Sequence, residues 1–349
     1  MNTPSNERAP LRLDRNEGAP PPPELMGALG ELCAAALARY PDPTDAIGGV
    51  ERAWAERLGV DPARVVLTTG GDGAIDLFFA RFGSPGARCV LAAPTFEPIV
   101  AAAVRARMEL AELDGFARRY PIDEAASLLR DRADRLVLVT PNNPTGLWLD
   151  EPTLDALLGV ANGRPTLVDL AYREFCPVDP TQRVLEAPGA CALVSLSKAW
   201  GLAGLRVGCL VAPAELAAEL RATRPVYPVA VPSLLLARAA LEDFGDLPGR
   251  NADRAVAMRE RVTRLLVRAG LEPLPSGGNF VLARGAGAGD LAAGLAERGV
   301  RVRRFDGRDD LADAVRVTCP TDDDALARLV LEVDALCRAR ELELAGGAS

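Results

Sequence analysis

The stretch SLSKAWGLAGLRVG, residues 195–208, holds a lysine that could carry chemistry. Lys198 follows an apolar run at 191–196 that is typical of a buried strand, and its neighbours are small or apolar, whereas surface lysines usually lie among other charges. A lysine amine can form a Schiff base with a carbonyl group and can also act as a general base. The alternative is a lysine whose stem packs on apolar surface while its ammonium group reaches solvent.

A glycine-rich segment, TTGGDGAIDLFFARF at 68–82, predicts a strand that ends in glycines and is followed at once by a helix. Backbone N–H groups at the start of a helix bind phosphate, and glycine lets the anion come close. The alternative is an ordinary strand-to-helix turn in which Asp72 is the N-cap.

Two further segments place polar side chains at the carboxyl ends of apolar strands, where α/β sheets form their sites. In TPNNPTG (140–146) an asparagine amide could be held toward a ligand, or the segment could be only a rigid turn. In LVDLAYREF (167–175) Asp169 would need a cationic partner if buried, and Tyr172 could face the same cavity; otherwise they are a capping aspartate and a core tyrosine. Each of the four segments has a purely structural alternative, and all four alternatives would have to be true independently to exclude a shared site. The combination therefore favours a Schiff-base enzyme.

The elements that would position these residues are those of an α/β protein. Apolar runs predict strands at 64–69, 88–94, 135–141, 165–171, 191–197 and 207–213. Helical patterns such as 73–83 and 151–163 lie between them. This alternation predicts a mostly parallel sheet between helices, formed by a large domain over 45–245.

The two ends of the chain differ from this pattern. Residues 1–44 contain GAPPPPEL, a predicted helix to about Arg39 and the helix stop YPDPTD, and we expect this segment to pack on the small domain or on a partner subunit. Residues 246–349 predict a smaller α/β domain. Its elements are a helix at 253–270, a strand at 279–285, a helix at 289–299, a strand at 314–320 and a helix at 322–340.

Composition narrows the function classes. The 349 residues include no histidine, which excludes Ser-His-Asp and His-metal catalysis, and we expect no metal. A net charge of −8 with interspersed signs argues against a nucleic-acid surface. The seven cysteines form no C-x-x-C pair, which favours a reducing cytoplasm. Neither a membrane-spanning run nor a signal peptide is expected.

Five segments together resemble the fold-type-I pyridoxal-phosphate aminotransferases, and within them the histidinol-phosphate aminotransferase family. They are LDRNEG (13–18), PNNPTG (141–146), SLSKAWGLAGLRVG, SGGNF (276–280) and VRVTCPT (315–321). The resemblance implies a large domain with a mostly parallel sheet between helices, a smaller α/β domain and pyridoxal 5'-phosphate as cofactor.

The same resemblance implies a role for each matching residue. Lys198 would hold the cofactor through a Schiff base and move a proton, while Asp169 would pair with the pyridine nitrogen. Tyr172 and Asn143 would form hydrogen bonds with the cofactor's phenolic oxygen, and Phe96 would stack on its pyridine ring. The residues expected around the cofactor phosphate are Gly71, Asp72, Ser195, Ser197 and Arg206.

Two more positions concern substrate and partner. Arg316 matches the arginine that binds the substrate's anionic group, and Asn143 lies with it. Tyr40 matches a residue that reaches the neighbouring subunit's cofactor phosphate, which implies a homodimer. Leu170 and Gly73 depart from the family pattern, in which acidic residues are common at these positions.

The expected function is a cytoplasmic, homodimeric aminotransferase that acts on a small-molecule amino donor and a 2-oxo acid. The best match is histidinol phosphate with 2-oxoglutarate, in histidine biosynthesis. The alternatives are an aminotransferase for aromatic or pathway-specific amino acids, an amino-acid or phosphothreonine decarboxylase, a ligand-sensing regulatory module of the same fold, and a cofactor-binding protein without turnover.

Overall fold

A computed structural model describes residues 9–117 and 121–346, so the outermost residues of both predicted end segments lie outside the described part. The strands are β1 (Leu11–Leu13), β2 (Val65–Thr69), β3 (Arg88–Ala93), β4 (Glu109–Asp114), β5 (Arg135–Val139), β6 (Thr166–Asp169), β7 (Ala190–Ser195), β8 (Val207–Val211), β9 (Glu272–Pro273), β10 (Phe280–Arg284), β11 (Val300–Val302) and β12 (Ala314–Thr318).

The α-helices are α1 (Ala34–Leu37), α2 (Gly48–Leu58), α3 (Gly70–Phe82), α4 (Glu97–Arg105), α5 (Ile122–Leu128), α6 (Glu151–Ala161), α7 (Thr181–Glu186), α8 (Ala214–Thr223), α9 (Val231–Asp243), α10 (Leu247–Arg268), α11 (Ala288–Glu297) and α12 (Asp323–Gly346). Short 3₁₀ segments lie at Pro23–Glu31, Pro62–Arg64, Arg173–Phe175, Ala203–Leu205 and Asp309–Leu311, and a π turn at Pro43–Ile47. Within the described ranges, helix length and apolarity nowhere reach what a bilayer crossing requires.

The larger sheet has seven strands in the order β2-β8-β7-β6-β5-β3-β4. β8 runs antiparallel to both of its neighbours, and the other pairs are parallel. Alternate residues of one strand enter opposite cores: Leu136 and Leu138 pack on one face of the sheet, Val137 and Val139 on the other. Because helices cover both faces, the central positions of the inner strands are apolar. The predicted mostly parallel sheet between helices is confirmed.

A smaller three-stranded antiparallel sheet has the order β12-β10-β9 and packs with α10, α11 and α12 around a separate core. β1 pairs in parallel with β11, so the start of the described chain joins this unit, and Leu13 enters its core. The chain then passes to the larger unit, where Leu25 is buried in the core shared with α9. The unit boundaries drawn from the sequence, at residues 44 and 245, stay predictions.

The predicted continuous helix up to about Arg39 is wrong. The structure has the 3₁₀ segment Pro23–Glu31 and the four-residue helix α1, separated by an extended Leu32. The segment begins after a run of prolines and contains Gly27 and Gly30, which lower α-helix propensity. No side chain caps either piece, so neither has the local support that a longer helix needs.

Candidate active site

One cavity of about 610 Å³ gathers the predicted site residues. It lies where strands of the larger sheet end, and it is closed by residues 14–17 and by residues of the smaller unit. The lining includes Gly71, Asp72, Phe96, Asn143, Asp169, Tyr172, Ser195, Ser197, Lys198, Arg206 and Arg316, which are all of the predicted site residues except Tyr40. Parallel strands bring their carboxyl ends to one edge, so residues far apart in sequence meet there.

Lys198 lies in the loop after β7, directly beneath the N-terminal segment. Its Nζ donates a hydrogen bond to the backbone oxygen of Arg15 at 3.3 Å and lies 5.6 Å from the centroid of the Tyr172 ring. Gly18 makes the close approach possible, because a Cβ there would lie 2.2 Å from the backbone oxygen of Lys198. The lysine is therefore held inside the cavity mouth rather than on an open surface.

Asp169 ends β6 and is a buried carboxylate, with 5% of its surface exposed. Its Oδ1 accepts a hydrogen bond from the backbone N–H of Ala171 at 2.9 Å. Burial raises the pKa of Asp169 to about 6, opposed by the Ala171 hydrogen bond and the charge of Lys198 and reinforced by Asp72. No cation forms an ion pair with it among the described residues. A buried carboxylate in this position suits a cationic ligand atom such as a protonated ring nitrogen.

The start of α3 forms an anion cradle. Thr69 is the N-cap and gives no side-chain hydrogen bond to the helix, so the first-turn N–H groups are left for a ligand. Gly70, at φ 67°, lets the Arg206 guanidinium cross the turn, since a Cβ there would lie 2.7 Å from Arg206 Nη2. Asp72 lies in the first turn, so the alternative in which it caps the helix is wrong.

Side chains complete the cradle on its other sides. Arg206, itself at φ 52°, donates from Nη2 to Asp72 Oδ2 at 3.0 Å. The Ser195 hydroxyl donates to Ser197 Oγ at 2.8 Å, and both serines are buried. The arrangement offers one guanidinium, two hydroxyls and helix-start amides to a phosphate group, with Asp72 contributing its backbone N–H rather than its carboxylate.

Arg316, in β12, is a buried cation on the opposite wall, with 7% of its surface exposed. Its Nη1 donates to Asn143 Oδ1, its Nη2 donates to the backbone oxygen of Asp14 at 2.9 Å, and its Nε has no hydrogen-bond partner among the described residues. Burial lowers the pKa of Arg316 to about 10. An anionic ligand would offset this desolvation and could satisfy the remaining donor.

Sequence reasoning assigned no role to Asn16, although LDRNEG was part of the resemblance. The structure places Asn16 at φ 54°, 1% exposed, with its Nδ2 donating to Tyr172 Oη at 2.9 Å. The available signal was an asparagine in a short segment of charged residues that ends at Gly18. Asparagine tolerates the left-handed conformation, so it indicates a turn in the backbone at this position.

The cavity mouth holds three charged residues that were also missed. Glu97, the first residue of α4, lies 3.6 Å from Arg303 and 3.9 Å from Arg308, measured between carboxylate oxygen and guanidinium nitrogen. Arg308 also makes a two-bond pair with Asp310, at 2.9 and 2.7 Å. The arginine-rich stretch RVRRFDGR at 301–308 was the available signal. The mouth therefore holds two further cations, Arg303 and Arg308, which are paired with the carboxylates of Glu97 and Asp310.

Tyr40 lies outside this cavity. It is 78% exposed and stacks on Tyr227, with ring centroids 4.4 Å apart. Its predicted role concerns a second subunit, so a single chain leaves that role a prediction.

Comparison with known proteins agrees with this geometry. Residues 12–333 match the family model described as aminotransferase class I and II. Histidinol-phosphate aminotransferase 2 of Caulobacter vibrioides is 38% identical over 313 residues, covering 85% of this chain and 80% of that protein. Histidinol-phosphate aminotransferase 1 of Dechloromonas aromatica is 34% identical, covering 84% and 80%.

The fold is also that of a solved structure. The histidinol-phosphate aminotransferase of Sinorhizobium meliloti, solved in complex with pyridoxal-5'-phosphate, superposes with a TM-score of 0.84 at 23% identity, over 95% of this chain and 92% of that one. A family match over this much of the sequence places the chain among the class I and II aminotransferases, and it is a pyridoxal-phosphate-dependent aminotransferase of fold type I.

Proposed function

We propose that this aminotransferase moves the amino group of histidinol phosphate to 2-oxoglutarate, in histidine biosynthesis. The observation that carries the substrate choice is the set of arginines around the cavity. Beside Arg206, which faces the predicted cofactor phosphate, the cavity is lined by Arg303, Arg308 and Arg316. A phosphate ester and a dicarboxylate both need such cations. The two histidinol-phosphate aminotransferases that are 38% and 34% identical to this chain support the same substrate.

The described residues fit the cofactor at three points. The uncapped start of α3 with Arg206, Ser195 and Ser197 would hold its phosphate. Asp169, which is buried and forms no ion pair with a described residue, would hold the proton of the ring nitrogen. Phe96, which lines the same cavity, would pack on the ring.

When bound, pyridoxal 5'-phosphate supplies an electron sink that allows the α-carbon of the amino donor to lose its proton. Lys198 would attach the cofactor and then carry that proton on Nζ, which here donates to the backbone oxygen of Arg15. Tyr172 would donate to the phenolic oxygen. Asn143 has its Oδ1 engaged by Arg316, so its amide N–H remains to donate into the cavity.

Arg316 would bind the anionic group nearest the reaction centre. Its Asn143 and Asp14 contacts fix the guanidinium plane, and its buried Nε offers a further donor. Arg303, whose backbone pairs with that of Arg316, and Arg308 would bind the outer oxygens of the phosphate or the distal carboxylate of 2-oxoglutarate, and Glu97 and Asp310 partly neutralise them. The site thus suits histidinol phosphate, whose phosphate is its only anionic group, and 2-oxoglutarate, which carries a second carboxylate.

We also propose that the protein is a homodimer in the cytoplasm. The exposed stack of Tyr40 on Tyr227 offers an aromatic surface of the kind that subunit interfaces bury. In a dimer, Tyr40 would approach the partner's cofactor phosphate. Size-exclusion chromatography with light scattering tests the oligomeric state. Tyr40→Ala should weaken cofactor retention in a protein that stays dimeric, and unchanged retention would remove the residue from the site.

The first test of the reaction is the visible spectrum of the purified protein with its cofactor. Histidinol phosphate should bleach the band and 2-oxoglutarate should restore it. Lys198→Ala should lack the normal band. Bleaching by another amine but not by histidinol phosphate would replace the substrate while keeping the reaction, and release of carbon dioxide would indicate a decarboxylase.

The substrate can be tested at the mouth with a matched pair of ligands. Arg303→Gln should raise the KM for histidinol phosphate roughly 10-fold or more, because one charged hydrogen bond contributes about 1.5–3 kcal/mol. The same change should leave the KM for histidinol, which lacks the phosphate, within about 2-fold. Equal losses for both ligands would contradict recognition of the phosphate by this arginine.

A further inference from the structure

Asn16 connects the N-terminal segment to the tyrosine of the site. Its side chain is buried, and its Nδ2 donates to Tyr172 Oη at 2.9 Å across 156 positions of sequence. No other hydrogen bond of the Tyr172 hydroxyl is formed among the described residues. Tyr172 Oη therefore accepts from Asn16 and retains its own proton for an acceptor in the cavity.

Thr318 fixes which end of the Asn16 amide faces the tyrosine. The Thr318 hydroxyl donates to Asn16 Oδ1 at 3.1 Å, and Thr318 Oγ1 accepts from the backbone N–H of Asn16 at 3.0 Å. The Asn16 backbone oxygen in turn accepts from Asn279 Nδ2 at 3.2 Å. With Oδ1 engaged by Thr318, the amide nitrogen is directed at Tyr172.

We propose that Asn16 is a positioning residue for Tyr172, which directs the tyrosine's hydroxyl proton toward the phenolic oxygen of the cofactor. The inference rests on the proposed role of Tyr172. A hydroxyl that accepts one hydrogen bond becomes a stronger donor in the next, because the two bonds polarise each other. Asn16 thereby favours the ionised form of the phenolic oxygen.

The measurable consequence is the pH at which the visible band of the Lys198-bound cofactor changes. A stronger donor to the ionised oxygen lowers that midpoint. The charged groups that face Tyr172 are Lys198, whose Nζ lies over its ring, Arg316 across the cavity and Asp169, which ends β6 three residues before it. All three stay in place in the variants below, so a shift in the midpoint reports the hydrogen bond.

Asn16→Gly tests the hydrogen bond most directly. Glycine adopts a φ of 54° without strain, so the backbone is kept while the amide donor is lost and no charge is added. We expect the midpoint to rise by roughly 0.3–0.5 pH unit. Thr318→Val, which releases the amide, should raise it in the same direction. Thr318→Ser keeps the hydroxyl and is the matched control, with no shift expected.

Tyr172→Phe distinguishes a failure of the inference about Asn16 from a failure of the proposed role of Tyr172. This change should raise the midpoint by itself, and adding Asn16→Gly to it should produce no further rise, because Asn16 acts through the tyrosine hydroxyl. If Tyr172→Phe leaves the midpoint unchanged, the proposed role of Tyr172 is wrong, and the inference about Asn16 is overturned as well. A second result would overturn only the inference about Asn16. In that result Tyr172→Phe shifts the midpoint, but Asn16→Gly either lowers the melting temperature without shifting the midpoint or shifts the midpoint equally with and without Tyr172→Phe.

Discussion

Replacing Asp169 by asparagine should stabilise the cofactor-free protein and weaken cofactor binding. Burial raises the pKa of Asp169 from its ordinary 3.8 to about 6, so the folded protein holds this proton more tightly than the unfolded chain. Stability is therefore lost as pH rises from about 4 to about 6 and stays lower above that range. Asparagine keeps an oxygen that can accept from the Ala171 N–H and carries no charge.

The size of the effect follows from the change in pKa. Each pH unit between the two values corresponds to about 1.4 kcal/mol, which gives a gain of about 3 kcal/mol for Asp169→Asn at pH 8. At pH 5 the carboxyl of the folded protein is largely protonated, and the gain should be about half as large. The removal of Lys198 should enlarge the gain, because its positive charge opposes the rise in the pKa of Asp169.

Urea unfolding of the cofactor-free protein, followed by tryptophan fluorescence at pH 5 and pH 8, measures this difference. With pyridoxal 5'-phosphate present the order should reverse, because the protonated ring nitrogen would pair with the carboxylate and not with an amide. A stability gap that is equal at the two pH values, or a variant that is less stable at pH 8, would refute the reasoning.

Three other changes test further parts of the structure. Arg206→Ala should raise the Kd for pyridoxal 5'-phosphate roughly 10- to 100-fold by removing charge-assisted hydrogen bonds, while the Kd for pyridoxal, which lacks the phosphate, should stay nearly constant in equilibrium dialysis. Glu51→Ala should lower the free energy of unfolding by about 3–5 kcal/mol, because it removes the carboxylate partner of Arg224, whose side chain is only 9% exposed, from a 2.6 Å pair. Asp246→Ala, in an exposed pair, should change the free energy of unfolding by less than about 1 kcal/mol in thermal unfolding. Gly18→Ala should lower stability by about 1–3 kcal/mol and reduce turnover, because its Cβ would meet the Lys198 backbone oxygen; an unchanged melting temperature would contradict that contact.

Much of the large unit follows from the sequence alone. A strand buried on both faces reads as a nearly continuous apolar run, and the six strands found from this pattern are β2, β3, β5, β6, β7 and β8. The strand β4 was missed because three of the six residues of ELAELD are acidic, which a strand at the sheet edge tolerates where it pairs only with β3. The three-residue strands β1 and β11 are too short to produce a period.

The sequence by itself also determined which residues lie at the strand ends, and therefore which ones share the cavity: Gly71, Asp169 and Lys198 lie at or just after the ends of predicted strands, and all three line it. Only the tertiary structure decided their partners. Asn16 reaches Tyr172 across 156 positions, and Arg316 reaches Asn143 across 173, because the smaller unit packs over the strand ends of the larger one. Local periodicity encodes which face of an element is buried, but a hydrogen bond between units depends on how the units pack, which no short-range pattern contains.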